Sequence, residues 1–368
     1  LRTTIDAQVP RTLLLTPGPL TTSDLTRAAL GRDWGSRDDD FVALTARLRN
    51  RLSALAGASA SHETVLLAGS GTFAVEAALQ SLVPRDGRVL LLVNGAYGRR
   101  MAEMLARLGR DHLVREWDED QPVDPARVDA MLAADPSIGD VAIVHCETTS
   151  GLLNPLEAVA SVVRRHRRRL LVDAMSSFGV LPIEAGRLGL AAVMASSNKG
   201  LEGVPGIGFV IAESAHLATC AGNATSLSLD LHAQAAGFRA NGQWRFTPPV
   251  QVAAALDAAL DQLDAEGGVA ARGLRCARLH AMLVDGMAAL GFETFLPAAL
   301  QAPIIVTFRD PGPPFAFAAL YAALQADGIV LYPGKLTKAP SFRIGCIGAI
   351  DETDMGRALD AIARCLRR

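Results

Sequence analysis

Val172-Asp173-Ala174-Met175-Ser176-Ser177 and, one short strand later, Ser196-Ser197-Asn198-Lys199-Gly200 decide how this sequence is read. Each follows a short apolar run, Leu170-Leu171-Val172 and Ala191-Ala192-Val193-Met194, of the kind that forms a buried strand. An acid thus stands at one strand end and a lysine just past the next. In an open parallel sheet the carboxyl edge is where ligands bind.

Working outward, strands and helices alternate on both sides. Thr64 to Ala68 reads as a buried strand, and Gly69-Ser70-Gly71-Thr72 turns directly into the helical pattern Phe73 to Leu79. Small residues there let the backbone approach a phosphate, and the positive end of the helix dipole faces it. Arg88–Val93, Leu113–Trp117 and Val141–His145 are further strands separated by helical stretches. The last runs into the polar loop Cys146-Glu147-Thr148-Thr149-Ser150-Gly151. Gly208–Ala212 returns as a strand, and residues 220–248 show no clear period. A long helical pattern from Val250 to about Leu290 follows, then Ile304–Phe308, a helix near Phe315–Ala326, Ile329–Tyr332, Phe342–Ile344 and a terminal helix from Glu352. The expected fold is α/β, a large lobe with a mostly parallel sheet and a smaller α+β C-terminal lobe. The lobes are expected at 17–248 and 249–368, joined by the segment 1–16.

Composition agrees and excludes several functions. At 368 residues the chain exceeds the usual size of a single core. Half of it is hydrophobic while only 5% is aromatic, as in helix-rich proteins with buried parallel strands. A net charge of -2 provides no field for nucleic acid or an anionic membrane. The basic run Arg164 to Arg169 reads as a solvated helix end and is assigned no partner. Five cysteines without CxxC spacing indicate neither disulfides nor a metal site. With no apolar run of membrane length and no signal peptide read, a cytoplasmic setting is expected.

Two competing motifs fail on their partners. Strand 64–68 followed by Gly69-x-Gly71-x-x-Ala74 fits a dinucleotide fingerprint, but the next strand ends in Asn94 where that fold needs an acid. Ser196-x-x-Lys199 fits a serine-acylase pattern, but Gly200, Gly203, Pro205 and Gly206 forbid the helix it requires. A non-catalytic scaffold would lose the lysine or a substrate clamp, and both Lys199 and Arg343 are present. A phosphate cradle, an acid and an amine at one sheet edge match an aldehyde cofactor with a phosphate tail and a ring nitrogen.

Leu13–Pro19 (LLLTPGP), Gly69–Ala77 (GSGTFAVEA), Asn94–Gly98 (NGAYG), His145–Pro155 (HCETTSGLLNP), Val172–Gly179 (VDAMSSFG), Ser197–Ala212, Trp244–Pro248 (WRFTP), Tyr332–Thr337 (YPGKLT) and Phe342–Gly348 (FRIGCIG) stand in one order over nearly the whole length. In these blocks the chain resembles the class V, fold-type I aminotransferases. The resemblance implies pyridoxal 5'-phosphate as cofactor. Lys199 would bond its aldehyde, Asp173 pair with its ring nitrogen, Ser70, Gly71 and Thr72 hold its phosphate, Tyr97 lie against the ring and Thr148 border it. Thr247 would reach the phosphate of a neighbouring subunit, making a homodimer with shared sites, and Arg343 would bind the substrate's anionic group. A phosphonate-bearing amine with pyruvate as acceptor, in phosphonate breakdown, is the expected substrate pair. Alanine or serine with glyoxylate is the alternative. Ser36 and Arg37, on the loop after Trp34, are candidates for the extra donors a phosphonate requires.

Overall fold

The computed structural model describes residues 11–367. Its centre is a seven-stranded sheet in the order His62–Ala68, Ile207–Glu213, Ala192–Ser196, Arg169–Asp173, Ile138–Val144, Arg88–Val93, Asp111–Glu116. Ile207–Glu213 runs antiparallel to both neighbours, and the remaining pairs are parallel. The central strands are apolar over most of their length because both faces are covered, as in Arg88–Val93, where Val89 to Val93 are all buried. The covering helices are amphipathic. Leu156–Arg165 buries Leu156, Val159, Ala160 and Val163, one stripe at helical spacing.

The smaller lobe is built on the antiparallel strands Ile305–Arg309, Ser341–Gly345 and Tyr332–Pro333. Helices Gly268–Ala289 and Glu352–Leu366 pack beside this sheet, the latter opened by a capping box between Asp351 and Asp354. The strand Leu13–Leu14 pairs in parallel with Ile329–Val330, which places these residues with the small lobe; residues 1–10 of the expected segment 1–16 lie outside the described residues.

Two details differ from the sequence expectation. Residues 220–248 contain the helix Leu231–Asn241, which seats only Leu231, Ala235 and Phe238 in the apolar core. The long pattern from Val250 is two helices, Val250–Glu266 and Gly268–Ala289, broken at Gly267 and Gly268, both at positive φ (104° and 79°). The first packs Ala253, Leu256, Leu260 and Leu263 into the large core, and the second packs Leu279, Leu283 and Met287 into the small one. We therefore propose the division between lobes at this glycine pair, beyond residue 249.

Candidate active site

The parallel strands end at one edge, and a cavity of about 280 Å³ opens there. Ser70, Gly71, Thr72, Tyr97, Thr148, Asp173 and Lys199 all line it. Ser70 stands at the N-cap of helix Gly71–Leu82 without its hydroxyl capping the helix, which leaves the first-turn N–H groups without a side-chain acceptor. The glycine at 71 lets Met175 pack close, since a Cβ there would lie 2.1 Å from Met175 Sδ and would force that side chain to move.

Asp173 ends strand Arg169–Asp173 and is buried, and among the described residues its Oδ1 accepts the Met175 N–H alone, at 2.9 Å. Burial pushes its carboxyl from the ordinary 3.8 up to about 6, against the opposing pull of that N–H, Lys199 and Arg100. Lys199 lies past strand Ala192–Ser196, and its Nζ donates to Pro17 O at 2.6 Å. Burial holds this amine below its usual range. Gly18, at φ 121°, makes room for it, because a Cβ there would stand 3.1–3.3 Å from Lys199 Cδ, Cε and Nζ.

A network that sequence reasoning missed holds the lysine loop. Glu202 adopts a left-handed conformation (φ 61°) although it is not glycine, a strained position that its surroundings must maintain. Arg275 Nη2 donates to Glu202 Oε1 at 2.6 Å and its Nε to Glu266 Oε1 at 2.7 Å. Arg272 donates from Nε to Glu266 Oε2 at 2.8 Å and from Nη1 to Gly200 O at 3.0 Å. The residue after the lysine is thereby tied to helix Gly268–Ala289.

Glu147 was also missed. It is fully buried, accepts from Thr149 Oγ1 at 2.8 Å and from Tyr97 N at 3.2 Å, and is raised by burial from 4.5 to about 7. It joins the Thr148 loop to the Tyr97 turn. Arg100, a further cavity residue, lies over the Tyr97 ring at 5.0 Å and reaches Thr72 Oγ1 at 3.4 Å. Glu147 stood in a quoted motif, where its carboxylate and its place beside Thr148 were the available signal.

Arg343 is 1% exposed and does not itself line the cavity. Its Nη1 donates to Thr148 O at 3.0 Å and its Nε to Pro333 O at 3.1 Å. Its charge acts on Lys199, and among the described residues no carboxylate forms an ion pair with it. Burial holds the guanidinium below its usual range. Ser36 and Arg37 lie outside the cavity lining of this chain, Arg37 on the surface. Thr247 is exposed beside Phe246 and is likewise outside it. Among the described residues no cluster suited to a metal and no helix long and apolar enough to cross a membrane is present.

Residues 23–348 match the family described as Aminotransferase class-V. The chain belongs to that family. Among its relatives, this class-V aminotransferase is 54% identical over 356 residues to the 2-aminoethylphosphonate–pyruvate transaminase of Pseudomonas putida (strain GB-1), spanning 96% of this chain and 97% of that one. Its fold superposes on a pyridoxamine–pyruvate aminotransferase from Mesorhizobium loti with a TM-score of 0.87 at 26% identity, over 97% of this chain and 92% of that one. An alanine–glyoxylate aminotransferase from Nostoc sp. gives a TM-score of 0.91 at 24% identity, over 98% and 97% of the two chains. At that identity the likeness concerns the fold alone.

Proposed function

We propose that the protein is a pyridoxal phosphate-dependent transaminase moving the amino group of 2-aminoethylphosphonate to pyruvate, with phosphonoacetaldehyde and L-alanine as products. The observation that carries this reading is the identity of 54% over 96% of the chain to a protein of that name. The site's chemistry supports it independently. Asp173 is a buried acid short of a counter-charge, suited to a protonated ring nitrogen. Ser196 Oγ is buried at the cavity with no hydrogen-bond partner among the described residues, and the uncapped start of helix Gly71–Leu82 suits a phosphate.

When bound, pyridoxal phosphate supplies an aldehyde for the donor's amine and a ring that takes up negative charge from the carbon beside nitrogen. Ser70, Gly71 and Thr72 would hold its phosphate, Asp173 its ring nitrogen, and Tyr97 and Thr148 its flanks. Lys199 Nζ removes the proton from the donor carbon that carries nitrogen and later returns a proton. Burial lowers its pKa from the usual range, the direction that favours an amine able to take up a proton. Arg343, a buried fork of donors without a carboxylate, binds the substrate's anionic group.

Thr247 serves the site of a second copy in this proposal, and Ser36 and Arg37 add donors for the phosphonate. The exposure of Phe246 (48%) and Phe73 (48%), the latter one residue past the cradle, is in keeping with a homodimer whose interface adjoins the site.

The test is spectroscopic and kinetic. Adding 2-aminoethylphosphonate to holoenzyme should shift its visible absorbance, and pyruvate should restore it with stoichiometric alanine. A higher kcat/KM with alanine and glyoxylate than with 2-aminoethylphosphonate and pyruvate would overturn the substrate assignment.

A further inference from the structure

Three cations line the cavity, and two are engaged within it. Lys199 donates to Pro17 O, and Arg100 lies over Tyr97 and reaches Thr72. The third is Lys335. It is exposed at the rim, and it takes part in none of the ion pairs among the described residues. The segment carrying it is pinned on both sides. On one side Arg343 Nε donates to Pro333 O at 3.1 Å, and Gly334 N to Ser341 O at 2.9 Å. On the other, Thr337 N donates to Glu119 Oε2 at 3.0 Å and Lys338 pairs with Asp118. Glu119 is itself buried and receives Arg99 Nη1 at 3.4 Å, which fixes where its carboxylate stands.

We infer that Lys335 binds the phosphonate end of the donor, and that Glu119 is the positioning residue that holds its loop over the cavity. The inference rests on the substrate reading above. A phosphonate carries up to two negative charges on three oxygens, whereas the carboxylate of alanine carries one on two. Arg343 supplies a single charge, and two of its nitrogens already serve carbonyls. A second cation, acting as a point charge on a flexible stem, can meet the extra charge and oxygen of the phosphonate head. Lys335 therefore discriminates between the two substrates of one enzyme.

The experiment compares wild-type, Lys335→Ala and Lys335→Arg holoenzymes. KM for 2-aminoethylphosphonate should rise roughly 10- to 150-fold in Lys335→Ala, the loss of one charged contact, with kcat little changed. KM for alanine should move less than about threefold, the scale of a surface change. Lys335→Arg should recover most of the loss. Ethylphosphonate, which lacks the reacting amine, should bind more weakly to Lys335→Ala by the same factor when followed by the cofactor's absorbance, and propionate should bind equally well to both. Glu119→Ala should raise KM for the phosphonate donor in the same direction with kcat retained. Equal losses for both substrates, or an ethylphosphonate Kd indifferent to Lys335→Ala, would overturn the inference even if the wild type uses 2-aminoethylphosphonate. A wild type that binds ethylphosphonate through Lys335 but fails to transaminate 2-aminoethylphosphonate would instead overturn the substrate reading.

Discussion

Arg272 and Arg343 are both fully buried guanidinium groups, exposed by 0% and 1%, yet they are surrounded differently. Arg272 meets Glu266 and stands near Glu202, with Arg275 completing a group of two acids and two bases. Arg343 donates to main-chain carbonyls and lies within the influence of the Tyr97 side chain and the Glu147 carboxyl, but among the described residues it forms no direct ion pair. A buried charge that is paired in the fold serves the fold, while one left without a counter-ion is free to serve a ligand. Asp173 is the acidic counterpart of Arg343, buried and answered mainly by one N–H.

The largest effect should come from the lysine whose loop Arg272 holds. Lys199→Ala should abolish turnover and leave thermal unfolding nearly unchanged. Steady-state transamination by that variant would show that the anchored loop is not the catalytic one. Next, Arg272→Met should destabilise the protein by about 3–5 kcal/mol in chemical denaturation, as breaking a buried charge network does. If stability held and only activity fell, the contrast with Arg343 would collapse.

Asp173→Asn applies the same logic to the acid. Its folded pKa, about 6, lies above the ordinary 3.8, so the folded state holds the proton more tightly between those values. Ionising it above pH 6 therefore works against folding, and that penalty disappears as pH falls towards 4. Cofactor-free Asp173→Asn should be more stable than cofactor-free wild type by about 2–3 kcal/mol at pH 8 and no more stable at pH 4, while its turnover falls. A variant equally stable at both pH values would mean that the carboxylate is already compensated. The smallest change is expected from Arg343→Met, which should lower kcat/KM for the amine donor by about 1.5–3 kcal/mol while costing less stability than Arg272→Met. Destabilisation comparable to that of Arg272→Met would place both arginines in structural roles.

Asp173, Lys199 and the Gly69–Thr72 cradle were legible because each follows an apolar run whose burial is written in consecutive residues. The ends of such strands must share an edge, so chemistry separated in sequence falls together by topology alone. Arg343 was legible as a cation in an apolar strand. The Glu202, Glu266, Arg272 and Arg275 group was not, since its members look like surface charges until two helices and a loop bring them together. Helix Leu231–Asn241 escaped for a different reason, having few apolar anchors and a glycine at 237. The break at Gly267–Gly268 was visible in the residues, but the helical pattern on either side runs through it.

The placement of Pro17 has a mechanical consequence. Leu15 is bonded to Val330 through its N–H, at 3.0 Å, and to Gly345 through its carbonyl, at 2.9 Å, both in the small lobe. Two residues later, Pro17 presents the oxygen that receives the amine of Lys199, a residue of the large lobe. That acceptor of the lysine amine is therefore mounted on the opposite half of the molecule, at the end of a short lever. Displacement of the small lobe against the sheet carries that oxygen with it. The same lobe holds Arg343, so the proposed substrate clamp and the oxygen that faces the lysine amine are carried on one half of the protein.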